Sequence, residues 1–336
     1  MPSPAHVYLP IESFPEYANF AYSFDFVTVL VALTAVYFIP SCVCLARMLH
    51  FYLNDTPPTT PNGGGLHPHV FKAFLLMQSW NTVYTLLDFL LVRIPTTTAL
   101  TSFCYALPPG NLMPYLVAAL YFSYYTSQLF TVLFCALRVL ILYNPRSHNK
   151  LCSLVFVFWP PATYVLSSIA AFPHTVSSSL CMQLDTPYQF GAVTISTSYV
   201  YGNEPLTVAH LVFSTVIVVA IVVTTTMMLL KLRKRKLMST SNRPFHRTKA
   251  ETTLTVTMLL ILAPLVFTQS LSIASISNSP YYSYILVARP LLIDSRVNIV
   301  SCYFYFTHPI FKHKLISTSI AVRSLNSQTT SQRDGY

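Results

Sequence analysis

From Phe26 to Ala46 the chain carries no charged side chain, and Asp25 and Arg47 bracket the run. At about 1.5 Å of rise per residue, a helix of this length crosses the ~30 Å hydrocarbon core of a bilayer. Comparable apolar runs recur along the whole sequence. Of its 336 residues 53% are hydrophobic and 9% charged, against roughly 25% charged in ordinary soluble domains, so no water-soluble fold could hide this surface. A membrane β-barrel would need strands of about ten residues that alternate apolar and polar. The runs here are longer and do not alternate. In lipid the remaining way to satisfy every backbone N–H and C=O is within each segment, as a helix.

Seven spans are predicted, at about 26–49, 70–92, 112–143, 152–172, 207–230, 252–276 and 281–306, giving an all-α membrane protein with a seven-transmembrane helix bundle over 25–308. The uncharged stretch from Ile94 to Leu137 is too long for one crossing, and Pro108, Pro109, Gly110 and Pro114 break it into a loop followed by span three. Pro160 and Pro161 are expected to kink span four, and Pro173 to Glu204 forms the longest outer loop. Span five is expected to stop at Lys231, where a basic loop leads to span six. Residues 1–24 hold Glu12, Glu16 and four prolines, with neither a basic start nor an apolar run, so the first span serves as its own insertion signal.

Cytoplasmic loops retain Lys and Arg. Placing the N-terminus outside puts Arg47, Lys72, Arg138, Arg146, Lys150, the eight cations of the third inner loop, and Lys312, Lys314, Arg323 and Arg333 inside, and leaves only Arg93 in an outer loop. That arrangement predicts a multi-pass membrane protein, with residues 309–336 as a cytoplasmic amphipathic segment and tail. The net charge of +10 lies in short patches between spans rather than on a soluble domain, which speaks for the bilayer as partner and against nucleic acid.

Nothing points to catalysis. The sequence lacks H-E-x-x-H, G-x-S-x-G and a phosphate-binding glycine loop. His67 and His69 flank Pro68, and two histidines do not make a catalytic metal site. No cofactor and no metal are expected. The one glycosylation sequon, Asn54-Asp55-Thr56, falls on the cytoplasmic side.

Arg138 ends span three and stands seven residues before Pro145. This resembles the D-R-Y…P segment of G-protein-coupled receptors, with Leu137 at the acid's position and Val139 at the tyrosine's. From the residues alone, a snorkelling arginine that marks the interface is the other reading. Span six keeps the kink proline of the C-W-x-P pattern at Pro264, without the tryptophan, and Asn298 is followed by Ile299 rather than the proline of N-P-x-x-Y. With Lys249, Ala250, Glu251, Leu254 and Thr257 opening span six, the chain from about Asn19 to Ile320 is similar to the nematode chemosensory serpentine receptors of the class gamma and class U group. The resemblance implies a seven-helix receptor for small chemical cues, expressed in sensory neurons, placed in their cilia and coupled to a heterotrimeric G protein through Arg138, Tyr143, Lys234 and Arg235. It also implies a bridge from Cys104 to Cys181, which sit where a receptor ties its long outer loop to the start of span three; taken alone, they are equally two loop thiols. The other five cysteines read as small apolar packing residues.

Charges inside a membrane are costly and mostly face the interior of a bundle. Asp88 in span two and Arg289 in span seven lie at similar depth, so they either pair and fix helix rotation or meet a ligand; Asp294 and Arg296 raise the same question. Tyr121 and Tyr124 lie three to four turns outward of Arg138, where such receptors bind small molecules, although core packing would also explain them. Gln269 in span six completes the candidate pocket. The rival function is a channel or transporter for a small solute, which should show inverted repeats, broken half-helices or rings of pore charges. None is visible, and only the polar span seven keeps that reading open.

Overall fold

Each long apolar run is a helix in the computed structural model, which describes residues 9–54, 67–107, 112–144, 148–198, 204–238, 245–276 and 282–311. The long helices are α1 (Phe26–Asn54), α2 (Pro68–Asp88), α3 (Met113–Tyr143), α4 (His148–Thr175), α5 (Glu204–Met238), α6 (Phe245–Ile276) and α7 (Tyr282–Thr307). Pro68 and Pro114 open α2 and α3 from the first turn, where the missing N–H has no intrahelical partner to lose. Asp25 starts α1, its Oδ1 accepting from the Thr28 N–H at 2.8 Å.

Five of the seven (α1, α3, α4 and the cores of α5 and α6) are long and apolar enough to cross a membrane on hydropathy alone. The other two, α2 and α7, carry the polar residues, and the packing explains why. Gln78, Asn81, Thr85 and Asp88 of α2 and Asp294, Arg296 and Asn298 of α7 are all buried, whereas Phe158 of α4 is 67% exposed and Leu33 of α1 61%. Lipid is the solvent of this fold, so its most apolar faces point outward and its polar ones inward. α3 is the central helix, packed against α2, α4 and α5, while α7 bridges α1 and α6. The apolar core gathers Phe74, Phe130, Phe134 and Phe304, with the Phe74 and Phe304 rings stacked at 4.1 Å. Trp159 ties α4 to α3, its Nε1–H donating to the Leu129 carbonyl at 3.1 Å, just before Pro160 and Pro161, through which α4 continues as helix.

The long outer loop of the all-α bundle contains an antiparallel hairpin, β1 (Ser178–Gln183) and β2 (Val193–Ser198). Three expectations need correcting. The basic stretch from Lys231 to Lys236 belongs to α5 rather than to a loop, because Lys, Arg and Leu lose little rotamer freedom in a helix. α6 likewise begins before span six was expected to, at Phe245. Finally, α2 does not end at Val92: a π-helical turn, Phe89–Arg93, and Ile94–Thr96 prolong it, and Arg93 is a buried residue of the bundle rather than a loop cation. The proline and glycine link after Asn54, Arg146, and the expected amphipathic segment beyond Phe311 lie outside the described residues.

A candidate ligand cavity under a stapled cap

At the end of the bundle that carries the hairpin, helices α2, α3, α5 and α7 enclose a cavity of about 180 Å³. Four of the five residues expected to form a pocket line it together: Asp88, Tyr121, Tyr124 and Arg289. Tyr84 and His210 complete the polar wall. The aromatic side is tightly organised. Tyr121 stacks on His174 at 3.8 Å, and the rings of Tyr121 and Tyr124 each lie 5.5 Å from that of His210. His210 Nδ1 in turn sits 2.8 Å from the Tyr125 hydroxyl. Gln269 is not brought to this cavity. Its Oε1 accepts from Ser214 Oγ at 2.9 Å and its Nε2 donates to Thr215 Oγ1 at 2.7 Å, so it ties α6 to α5 instead.

Of the two readings open for Asp88 and Arg289, pairing or ligand contact, the structure shows no ion pair between them. The partner of Asp88 is Arg93, whose Nε donates to Asp88 Oδ2 at 2.7 Å. The remaining fork of the same guanidinium grips Asp294 of α7, Nη1 to Oδ2 and Nη2 to Oδ1, both at 2.7 Å. Five residues on a regular α-helix subtend about 140° of offset, which would turn Asp88 and Arg93 away from each other. The wider π-helical turn removes that offset. The Phe89 ring lies beneath the guanidinium, 4.2 Å from its carbon. Arg296, a little deeper, donates from Nη2 to Thr131 Oγ1 at 2.6 Å. Arg93 does not stand out as a site residue in the sequence, because it is the first charge after an apolar run, where a span ordinarily ends. The Asp88/Arg93 spacing was visible, but the π turn that makes it meaningful was not.

The cavity has a roof. Met182 of β1 and Thr194 and Ile195 of β2 line it from above, and Cys104 is bonded to Cys181 of β1, with Cα atoms 6.0 Å apart. Around that bond Ile11, Tyr17 and Val193 are buried, so the segment before α1 is part of the cap rather than a free tail. Gln183 N–H donates to the Leu9 carbonyl at 3.4 Å and Tyr17 Oη to Gln183 Oε1 at 3.3 Å. Burial, with Glu16 nearby, pushes the Tyr17 phenol up to about 12. Gly191 closes the turn with φ +91°, and a Cβ there would enter the Phe20 ring. Holding the roof down through one covalent tie across 77 residues leads to a definite expectation: Cys104→Ser and Cys181→Ser each lower surface expression several-fold, in line with the ~2–4 kcal/mol typical of such bonds. The double mutant should be no worse than either single, and additive losses by flow cytometry would mean that the two thiols act separately.

At the opposite end, Arg138 is only 8% exposed. Its Nη2 lies 3.8 Å from Met228 Sδ of α5, and its Nε is buried without a hydrogen bond. This is not a side chain snorkelling to the interface. Tyr143 donates to the Met227 carbonyl at 3.5 Å and receives Lys231 Nζ over its ring at 4.7 Å. Lys234 is exposed on α5 and the side chain of Arg235 lies outside the described residues. Pro264 sits mid-way in α6, where its carbonyl accepts from Thr268 Oγ1 at 2.7 Å. Among the described residues no group of three or more His, Cys, Asp or Glu is placed to hold a metal ion.

Residues 11–314 match the family described as serpentine type 7TM GPCR chemoreceptor Sru. The chain is also 23% identical over 256 residues, 74% of its own length and 85% of the relative's, to serpentine receptor class U-26 of Caenorhabditis elegans. Class U is one of the two classes suggested by resemblance, and the chain, a multi-pass membrane protein of seven helices, belongs to the Sru family of serpentine chemoreceptors.

Proposed function

We propose that this chemoreceptor binds a small molecule in the cavity under the hairpin and passes the event to a heterotrimeric G protein at the ends of α3, α5 and α6 around Arg138. The observation that carries the reading is the convergence of Asp88, Tyr121, Tyr124 and Arg289 from three helices on one roofed cavity. Binding there favours one arrangement of the bundle over another, and only a ligand with different affinity for the two arrangements can signal. The hairpin end faces outside and the C-terminus the cytoplasm, supported by Arg47, Lys72, Lys150, Lys231, Arg233 and Lys234 at the other end. By family, the plasma membrane of sensory neurons, at their cilia, is its place.

One experiment addresses all of this. The chain, tagged at both ends and expressed with a promiscuous G protein, is challenged with a panel of small water-soluble odorants while calcium is recorded. The N-terminal tag should be reached by antibody on intact cells and the C-terminal tag only after permeabilisation. At least one odorant should evoke calcium release that Val117→Trp, which fills the cavity from its wall, abolishes at unchanged surface level. Both tags on one side, or responses indifferent to Val117→Trp, would overturn the reading.

A further inference from the structure

The two acids near the cavity are already committed. Asp88 and Asp294 share the single guanidinium of Arg93, through three hydrogen bonds of 2.7 Å. That leaves the cation at the cavity wall in a different state. Among the described residues Arg289 makes no hydrogen bond or ion pair, and its Nε is buried without a hydrogen-bond partner, while its side chain lines the void. Among the described residues, the buried charges here are Asp88, Arg93, Asp294 and Arg296; with Arg289 at the cavity wall the interior holds three guanidinium groups against two carboxylates, one positive charge in excess. Asp88 acts on Arg289 only through space, without an ion pair; a cation that no anion contacts is expensive in a low-dielectric interior, and a ligand that brings one negative charge against it lowers that cost. The walls specify the rest. Tyr84, Tyr121 and Tyr124 offer ring faces with phenolic O–H donors, and Val117, Leu120 and Leu286 offer apolar surface. A cavity of about 150 Å³ holds a benzene ring, so 180 Å³ admits a molecule only slightly larger.

We infer that the cavity takes a small organic anion, a carboxylate on a flat body of roughly benzoate size, with Arg289 as its counter-ion. This rests on the proposal that the cavity is the ligand site and names the chemical class. The guanidinium fork matches a carboxylate bidentately, the ring of the ligand lies among the tyrosines, and the excess charge is balanced. Neutral molecules of the same shape lose the charge-assisted bonds, and cations meet repulsion.

The test uses the purified full chain in nanodiscs and three probes of one shape: benzoate, benzamide and benzylammonium. A ligand that binds the folded state raises the thermal midpoint according to its affinity. Benzoate should raise it, with an apparent affinity at least about tenfold better than that of benzamide, and benzylammonium should not. Arg289→Gln should erase the preference of benzoate over benzamide, and Arg289→Lys, which keeps the charge but not the fork, should retain part of it. Val117→Trp should remove every shift. If benzamide or benzylammonium matches benzoate and Val117→Trp abolishes the effect, the anion assignment is wrong while the cavity remains the ligand site. A benzoate shift that survives both Arg289→Gln and Val117→Trp places binding elsewhere and sinks both proposals. No shift with benzoate overturns the anion assignment outright.

Discussion

Arg93→Gln should drive the receptor off the cell surface almost completely. The guanidinium is the sole ion-pair partner of two buried carboxylates among the described residues, Asp88 in α2 and Asp294 in α7. Glutamine cannot reach both, and removing one partner of a buried ionic network costs roughly 3–5 kcal/mol because the charges left behind are uncompensated. Against a total stability of about 5–15 kcal/mol, that is enough to empty the folded population in a cell. Arg93→Lys should be intermediate, since a compact ammonium provides a charge but not the fork that spans Asp88 and Asp294 at once. The informative variant is the triple Arg93→Met, Asp88→Asn, Asp294→Asn. Removing all three charges together removes the desolvation cost as well, so surface level should recover well above that of Arg93→Gln. Normal surface expression of Arg93→Gln, measured by antibody against an N-terminal tag, would show that the network is not what holds α2 to α7.

The network also marks where the sequence is readable and where it is not. The seven-helix membrane class comes through because hydropathy is a property of composition, and a membrane imposes a fixed length on each crossing. α2 and α7 fit that rule least well, and their polar residues, awkward for hydropathy, are what mark them as central. The depth of Asp88, Tyr121, Tyr124 and Arg289 can be counted from span ends, which is why those four do meet at one cavity. Pairing is another matter. Whether Asp88 turns toward Arg289 or Arg93 depends on the local helix type, and the π turn from Phe89 to Arg93 leaves no signature in the order of the residues. Gln269 fails for a related reason: depth placed it at pocket level, but rotation about α6 aims it at Ser214 and Thr215 of α5. The cap was equally hidden, because Ile11, Tyr17 and the hairpin acquire their burial only from contact with one another around Cys104 and Cys181.

Arg138 carries the other large effect, and here the expected outcome is loss of signal without loss of protein. The guanidinium is tucked against Met228, with Nε lacking a hydrogen bond. A charge held this way is a liability to the fold, since its desolvation is not offset by a full set of bonds. Arg138→Gln should therefore leave surface level equal to wild type or higher, the reverse of the Arg93 variants. A merely structural arginine would have no further consequence. If instead α5 and α6 move aside when ligand binds, the fork of donors becomes available to the G protein, and neither glutamine nor the single point charge of Arg138→Lys reproduces it. Both substitutions should then cut ligand-evoked calcium release by more than about tenfold, the equivalent of one or more charge-assisted hydrogen bonds, while ligand-induced thermal stabilisation is retained. The exposed cation Lys234 and its neighbour Arg235 on α5 provide the control. Neutralising both weakens a general electrostatic attraction and should lower the response only in part. Full ligand-evoked signalling from Arg138→Gln at normal surface level would mean that coupling runs through other residues, and that the burial of this arginine serves the inactive bundle alone.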